Sequence, residues 1–224
     1  MIESYTGLEK MIRGFTWIAV WRVNIFRWRR AVRFLSGETA RKERWEIMQY
    51  TTAYMSPLGK ILLAGDQAGL TGLWFAGQKY YGQDLDAEHE EREIPVLTQT
   101  KKWLDLYFSG KVPDFVPQLH FTGSDFQKEV WEILLTIPYG KTMTYGEIAA
   151  VLAKKRGLAH MSAQAVGGAV GRNEISVIVP CHRVVGADGS LTGYAGGLDK
   201  KIWLLTMEGA GMDTLYRPKR GTAL

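Results

Sequence analysis

The sequence predicts two domains in series: an α/β N-terminal domain with a small antiparallel sheet, then a mainly helical C-terminal domain containing a helix-turn-helix. Three observations predict them. Between Thr51 and Phe75 apolar and polar residues alternate in short runs separated by turn residues, the period of half-buried strands. Beyond residues 112–118, which carry two prolines, the spacing turns helical in one segment after another. A content of 46% hydrophobic and 12% aromatic residues suffices for one globular core or two small ones.

Residues 1–47 lie outside this pattern. They hold four of the eight tryptophans, with ten basic residues against five acidic. On a helical wheel Arg22, Arg27, Arg29, Arg30 and Arg33 gather on one side, and Trp21, Ile25, Trp28, Val32 and Leu35 lie opposite. Two readings stand: an arm for a membrane surface or nucleic acid, or an incidental extension ahead of a functional start near Met48. Arg22 interrupts an apolar stretch already short of the ~20 residues of a membrane span. A secretory signal's cleavage site is missing, so an intracellular, cytoplasmic protein is expected.

The next domain is placed at 48–118. Residues 51–55, 60–65 and 70–75 read as strands joined by turns. The acidic run 88–93 reads as a solvated linker or a helix start. Residues 95–110 read as a helix, with Leu97, Lys101, Leu104 and Phe108 at helical spacing and Gly110 as the stop. The C-terminal domain is placed at 119–211, with 212–224 as a tail. Its first helix, 126–137, carries Phe126, Val130, Ile133, Leu134 and Ile137 on one side, capped by Ser124 or Asp125. A turn at 138–141 and an extended piece at 142–144 lead to helices at 145–152 and 162–170. The β-branched run 175–179 reads as a short strand that Pro180 ends. A turn at 186–190 and a glycine-rich loop at 192–197 precede a last helix, 198–207, with Leu198, Ile202 and Leu205 on one face.

Cys181 is the only cysteine, so neither an internal disulfide nor a multi-cysteine metal site is available. It is either passive filling or a reagent. The neighbouring His182 and Arg183 favour the reagent, because positive charge stabilises the nucleophilic thiolate. The four histidines are scattered and give no zinc-ligand spacing with one thiol, so no metal and no cofactor is expected. The helix at 162–170 is nearly all small residues, including Gly167 and Gly168, which cost about 1 kcal/mol each relative to alanine. It is a loop, a helix packed tightly on its neighbour, or a helix shaved so that its backbone enters a groove; helix, turn and small helix together resemble a helix-turn-helix, a module that docks on DNA, or form only a packing unit.

Pro180-Cys181-His182-Arg183-Val184, preceded by Ala165-Val166-Gly167-Gly168-Ala169 and Asn173 and followed by Tyr194-Ala195-Gly196-Gly197 and Trp203-Leu204-Leu205-Thr206-Met207-Glu208-Gly209, resembles the O6-alkylguanine-DNA alkyltransferases. The likeness is strong over 121–211 and weaker over 49–118. It implies a winged-helix-like helix-turn-helix and a suicide repair protein. Such a protein flips an alkylated guanine out of double-stranded DNA and keeps its alkyl group on Cys181, O4-methylthymine being a further substrate. Carried over residue by residue, His182 deprotonates Cys181 through a water, Glu208 orients that relay, and Asn173 holds the active-site turn. Tyr145 donates a hydrogen bond to the purine. Tyr194, Ala195, Val184, Gly196 and Val170 surround the base, while Gln164, Ala163, Ala165, Gly167, Arg172, Arg183 and Thr144 meet the DNA. A monomer needing no membrane is implied.

Two positions depart from the family. Gln164 stands where an arginine commonly fills the vacated place in the duplex, which predicts weaker DNA affinity partly offset by Arg172. Glu174 stands where proline commonly follows the asparagine, and is expected to loosen the approach to the strand. Charge does not itself predict DNA binding. The net charge is +5, all of it accounted for by residues 1–47. A basic footprint must therefore be local, from Lys141, Lys154, Lys155, Arg156, Arg172 and Arg183. Rival readings are a lesion-binding protein without transfer, which in such relatives replaces the cysteine, a redox-sensing transcriptional regulator, and a cysteine hydrolase, for which no oxyanion loop is recognisable.

Overall fold

Alternation in the N-terminal domain builds a meander. Strands β1 (Gln49–Ser56), β2 (Gly59–Gly65) and β3 (Leu70–Phe75) pair antiparallel in a computed structural model that describes residues 48–218. The readings made for residues 1–47 and for the last residues of the tail fall outside the described residues. The β1–β2 turn is closed by Ser56, whose Oγ bonds Gly59 O at 2.7 Å, and by Gly59 at φ 100°, a conformation that favours glycine. The acidic run holds a fourth strand, β4 (His89–Glu91), which pairs parallel to β1 at the sheet edge. The sheet is therefore mixed, in the order β3-β2-β1-β4. Three exposed residues of high charge make a short, blunted edge, which explains why the run did not read as a strand.

Helix α1 (Pro95–Phe108) lies on the sheet, with Leu97, Thr100, Trp103, Leu104 and Tyr107 buried. The predicted stripe named Lys101 and Phe108, but the buried face is rotated toward Tyr107. In the C-terminal domain α2 (Asp125–Leu134) starts at a capping box formed by Ser124 and Gln127. Strand β5 (Met143–Thr144) runs into α3 (Tyr145–Lys155), capped by Thr144 and Glu147. Helix α4 (Ala163–Gly171) starts at Ser162. Strand β6 (Val184–Val185) pairs parallel to β5, and α5 (Leu198–Met207) follows. Its buried stripe is Lys201, Leu204 and Leu205, continued by Glu208, rather than the predicted Leu198, Ile202 and Leu205.

Residues 175–179 do not form the predicted strand. Ile175 makes one bridge to Leu73, after which the chain coils, with Val177 at φ 70°. Asn173 holds Ile175 N, at 3.0 Å, and Ile175 O, at 3.3 Å, on the side away from β3, and Ile178 N turns back onto Ser176 O at 2.8 Å, so the carbonyl that the ladder would use next is taken within the turn. Cys181 consequently opens a 3₁₀ turn (Cys181–Arg183) rather than ending a strand.

The edge of β3 joins the two halves. Leu73 N bonds Glu174 O at 2.8 Å and Leu73 O accepts from Ser176 N at 3.0 Å; Leu70 pairs likewise with Gln118 and His120. Glu174 therefore ties rather than loosens the approach: its Oε2 also accepts from the buried Trp74 indole at 2.8 Å. One apolar cluster runs from Tyr50 and Leu63 through Tyr107 and Trp131 to Cys181 and Leu204. Among the described residues no helix is long and apolar enough to cross a membrane.

Candidate active site

Cys181 is 4% exposed and lies on the wall of an open cavity of about 780 Å³. The cavity is formed between α4 and the 192–195 loop, with Tyr145 and Val170 also lining it. Asn173 Nδ2 donates to Cys181 Sγ at 3.0 Å and to Val179 O at 2.8 Å, so one amide shapes the turn and holds its thiol. Burial pushes the thiol's pKa up, and the Asn173 hydrogen bond and the Lys201 charge only partly offset it.

The expected cationic neighbours are arranged differently. Arg183 is buried and donates to Glu208 through Nε at 2.8 Å and Nη2 at 3.0 Å, and to Ile137 O through Nη1 at 2.6 Å. Its charge is spent inside the protein, so it offers nothing to a DNA phosphate, and the DNA contact expected of it is corrected. His182 is fully buried, and burial holds its pKa below the usual histidine range despite Glu208. The thiol is therefore not activated by an adjacent imidazolium, and its deprotonation requires a base.

His182 supplies the geometry of one. Its Nε2 lies 2.7 Å from Glu208 Oε1. Burial opposes charge on Glu208, yet hydrogen bonds from His182 and Arg183 hold its carboxyl well below the usual range. A carboxylate accepts only, so Nε2 carries the proton and Nδ1 presents the lone pair. Nδ1 is buried with no protein partner among the described residues. Glu208 accepts further from Tyr107 OH at 2.5 Å and Gly140 N at 3.2 Å, which leaves neither oxygen unsatisfied.

Two of these residues escaped the sequence reading. Tyr107 comes from α1, in the other domain. Lys201 is fully buried, and its Nζ donates to Val184 O at 2.6 Å, Thr192 O at 2.8 Å and Gly193 O at 3.3 Å. Burial brings its pKa down to about 8, against the opposing influence of Cys181. The signal was the spacing 201, 204, 205, 208, which puts a lysine and a glutamate on one buried helix face. Tyr145 OH donates to the same Thr192 O at 3.2 Å.

Of the expected base-binding residues, Tyr194, Ala195 and Val170 line the cavity, whereas Val184 and Gly196 do not. Gly196 instead makes room for Tyr194: a Cβ there would sit 2.7 Å from the tyrosine ring. Of the expected DNA contacts, Ala163, Gln164 and Gly167 line the cavity; Ala165 is exposed beside them, and Thr144 serves as the α3 cap. Gly168 has nothing within 4 Å of a Cβ position, so no neighbour requires a glycine there. Lys155 and Arg156 pair with Glu132 and Glu129 on α2, each at 3.0 Å, so part of their charge is met by neighbouring carboxylates; Lys141 and Lys154 are exposed.

Residues 49–121 match the family described as 6-O-methylguanine DNA methyltransferase, ribonuclease-like domain, and residues 125–210 the corresponding DNA binding domain. The chain is 44% identical to a methylated-DNA–protein-cysteine methyltransferase of Methanosarcina acetivorans over 161 residues, 72% of this chain and 99% of that one. Its counterpart from Mycobacterium leprae is 43% identical over 68% of this chain and 88% of its own. The crystal structure of Mycobacterium tuberculosis O6-methylguanine methyltransferase superposes with a TM-score of 0.61 at 41% identity, covering 72% of this chain and 93% of that one. The Mycobacterium tuberculosis OGT in complex with DNA gives 0.60 at 39% identity, covering 75% and 98%.

Proposed function

The chain belongs to the 6-O-methylguanine DNA methyltransferase family, and on that premise we propose that it repairs DNA by taking the alkyl group of an O6-alkylguanine onto its own Cys181. The observation that carries the reading is a buried thiol, held by Asn173, at an open cavity and backed by a His182–Glu208 pair whose Nδ1 is uncommitted. The base enters the cavity flipped from the duplex. A water passes the thiol proton to His182 Nδ1, and Glu208 stabilises the imidazolium that results. Sγ attacks the alkyl carbon, the carbon–O6 bond breaks, and the electron pair passes into the purine. A hydrogen bond from Tyr145, turned from Thr192 O to the base, assists that departure. The thiolate is a poor leaving group from the thioether carbon, so no ordinary displacement regenerates Cys181 and each molecule acts once.

In this reading Tyr194 and Ala195 enclose the base, and Gln164 enters the place it vacates. The protein acts as a cytoplasmic monomer on double-stranded DNA carrying alkylated guanine, with O4-methylthymine a second substrate. Mass spectrometry after incubation with a duplex holding one O6-methylguanine tests it, with Cys181→Ala alongside. One methyl group on Cys181, saturating at one per protein and absent from the variant, is expected. Tight lesion binding with an unmodified thiol would show a damage sensor instead.

A further inference from the structure

Residues 76–86, between β3 and β4, belong to the N-terminal domain, yet they reach the active-site cavity. Lys79 lines that cavity, and its backbone N–H bonds Ala195 O, in the loop that encloses the base, at 3.0 Å. Gln78 anchors the segment: its Oε1 accepts from Phe75 N at 2.9 Å and from Ser176 Oγ at 3.3 Å. The next residue, Tyr80, has φ 62°, a conformation unfavourable for a side chain of that size. Its ring collects two cations. Arg172, the residue that ends α4, stands 4.1 Å from the ring centroid, and Lys79 Nζ stands 5.0 Å from it. Arg172 is further fixed by Gln83 Oε1 at 3.0 Å.

The Tyr80 ring holds two like charges together, neither of them in an ion pair among the described residues, with the Glu174 carboxyl within electrostatic reach of Arg172. The pair sits beside the cavity, while Gln164 on the same rim brings no charge. We propose that Lys79 and Arg172, held on Tyr80, clamp a backbone phosphate of the strand that delivers its base to Cys181, which makes this N-terminal loop part of the DNA-binding surface. The inference rests on the alkyl-transfer reading above. The clamp supplies, from another domain, the positive charge that the rim position of Gln164 lacks, and it fixes the strand next to the extruded nucleotide.

The test is the salt dependence of binding to an O6-methylguanine duplex by the full chain, with Lys79→Met, Lys79→Arg and, as control, Lys60→Met on exposed β2. Losing one phosphate contact lowers the slope of log K against log salt by about 0.9. Lys79→Met is expected to show that drop and to raise the half-saturating DNA concentration several-fold, with little change in the saturating transfer rate. Lys79→Arg is expected to restore the slope and Lys60→Met to leave it unaltered. Lys79→Met with an unaltered slope and affinity, while Cys181 is still methylated, overturns the clamp alone. If the unsubstituted protein transfers no methyl from either the duplex or the nucleoside O6-methyl-2′-deoxyguanosine, the parent reading falls and the clamp with it.

Discussion

At the level of single residues, the active site is a problem of burying charge near a thiol. Among the described residues Lys201 is the cation whose charge favours the Cys181 thiolate through space, since Arg183 is committed to Glu208. Lys201→Met removes that charge and its hydrogen bonds to three carbonyls, of which Thr192 O keeps the bond from Tyr145. The pH midpoint of Cys181 alkylation by iodoacetamide is expected to rise, with methyl transfer at least tenfold slower; an unmoved midpoint would leave Lys201 a purely structural role. Glu174 carries a second buried charge. Burial, and then the nearby Asp84, raise its pKa to about 7. Between the ordinary glutamate value and about 7, the native state holds a proton that the unfolded chain releases, so stability falls as pH rises through that window. Glu174→Gln keeps an acceptor for Trp74 without the charge. Its melting temperature is expected to match the parent at pH 4 and to exceed it by about 2–4 °C at pH 8, which thermal unfolding at the two pH values decides.

Among the elements, α4 separates two explanations of a small-residue helix. Its extent was legible in sequence to within a residue, although the Ser162 cap that starts it was not named there. Whether its glycines serve packing or access was not legible, since that depends on what faces them. Gly167 would place a Cβ 3.7 Å from the Tyr145 ring, in ordinary contact, and Gly168 would place one in open space. Gly168→Ala should therefore stabilise the fold by about 1 kcal/mol while hindering close approach of DNA. We expect a higher melting temperature together with lesion-duplex affinity reduced several-fold. Stabilisation with full affinity would return the helix to a packing unit. The 175–179 segment failed as a strand for the complementary reason. Its β-branched residues satisfy strand propensity, but Ile178 N takes the Ser176 carbonyl that the ladder needs next, and Asn173 holds the chain in that turn from the other side of Ile175.

On the scale of the whole molecule, the domains are not independent modules joined by a linker. The proline-bearing connection at 112–118 leads straight into pairing with β3, and the same strand edge then receives the turn ahead of Cys181. The thiol and its histidine were legible because they share one short motif, whereas Glu208, in a separate stretch, was assigned only through the family resemblance. Tyr107 and Lys79 were invisible in the sequence, since only long-range packing brings α1 and the β3–β4 loop to the site. Tyr107 makes that packing chemically relevant: its hydroxyl donates to the Glu208 oxygen that also holds His182. Hydrogen bonds to charged groups are worth about 1.5–3 kcal/mol, so Tyr107→Phe should destabilise the chain within that range. If Glu208 orients His182 only while Tyr107 constrains it, single-turnover transfer from a saturating lesion duplex should slow about tenfold, the equivalent of 1.4 kcal/mol. One core spanning both domains further requires tryptophan fluorescence and far-UV dichroism to report a single coincident transition in parent and variant alike. Two separated transitions, or a transfer rate equal to the parent's, would confine the relay to the C-terminal domain and reduce α1 to a cover over the sheet.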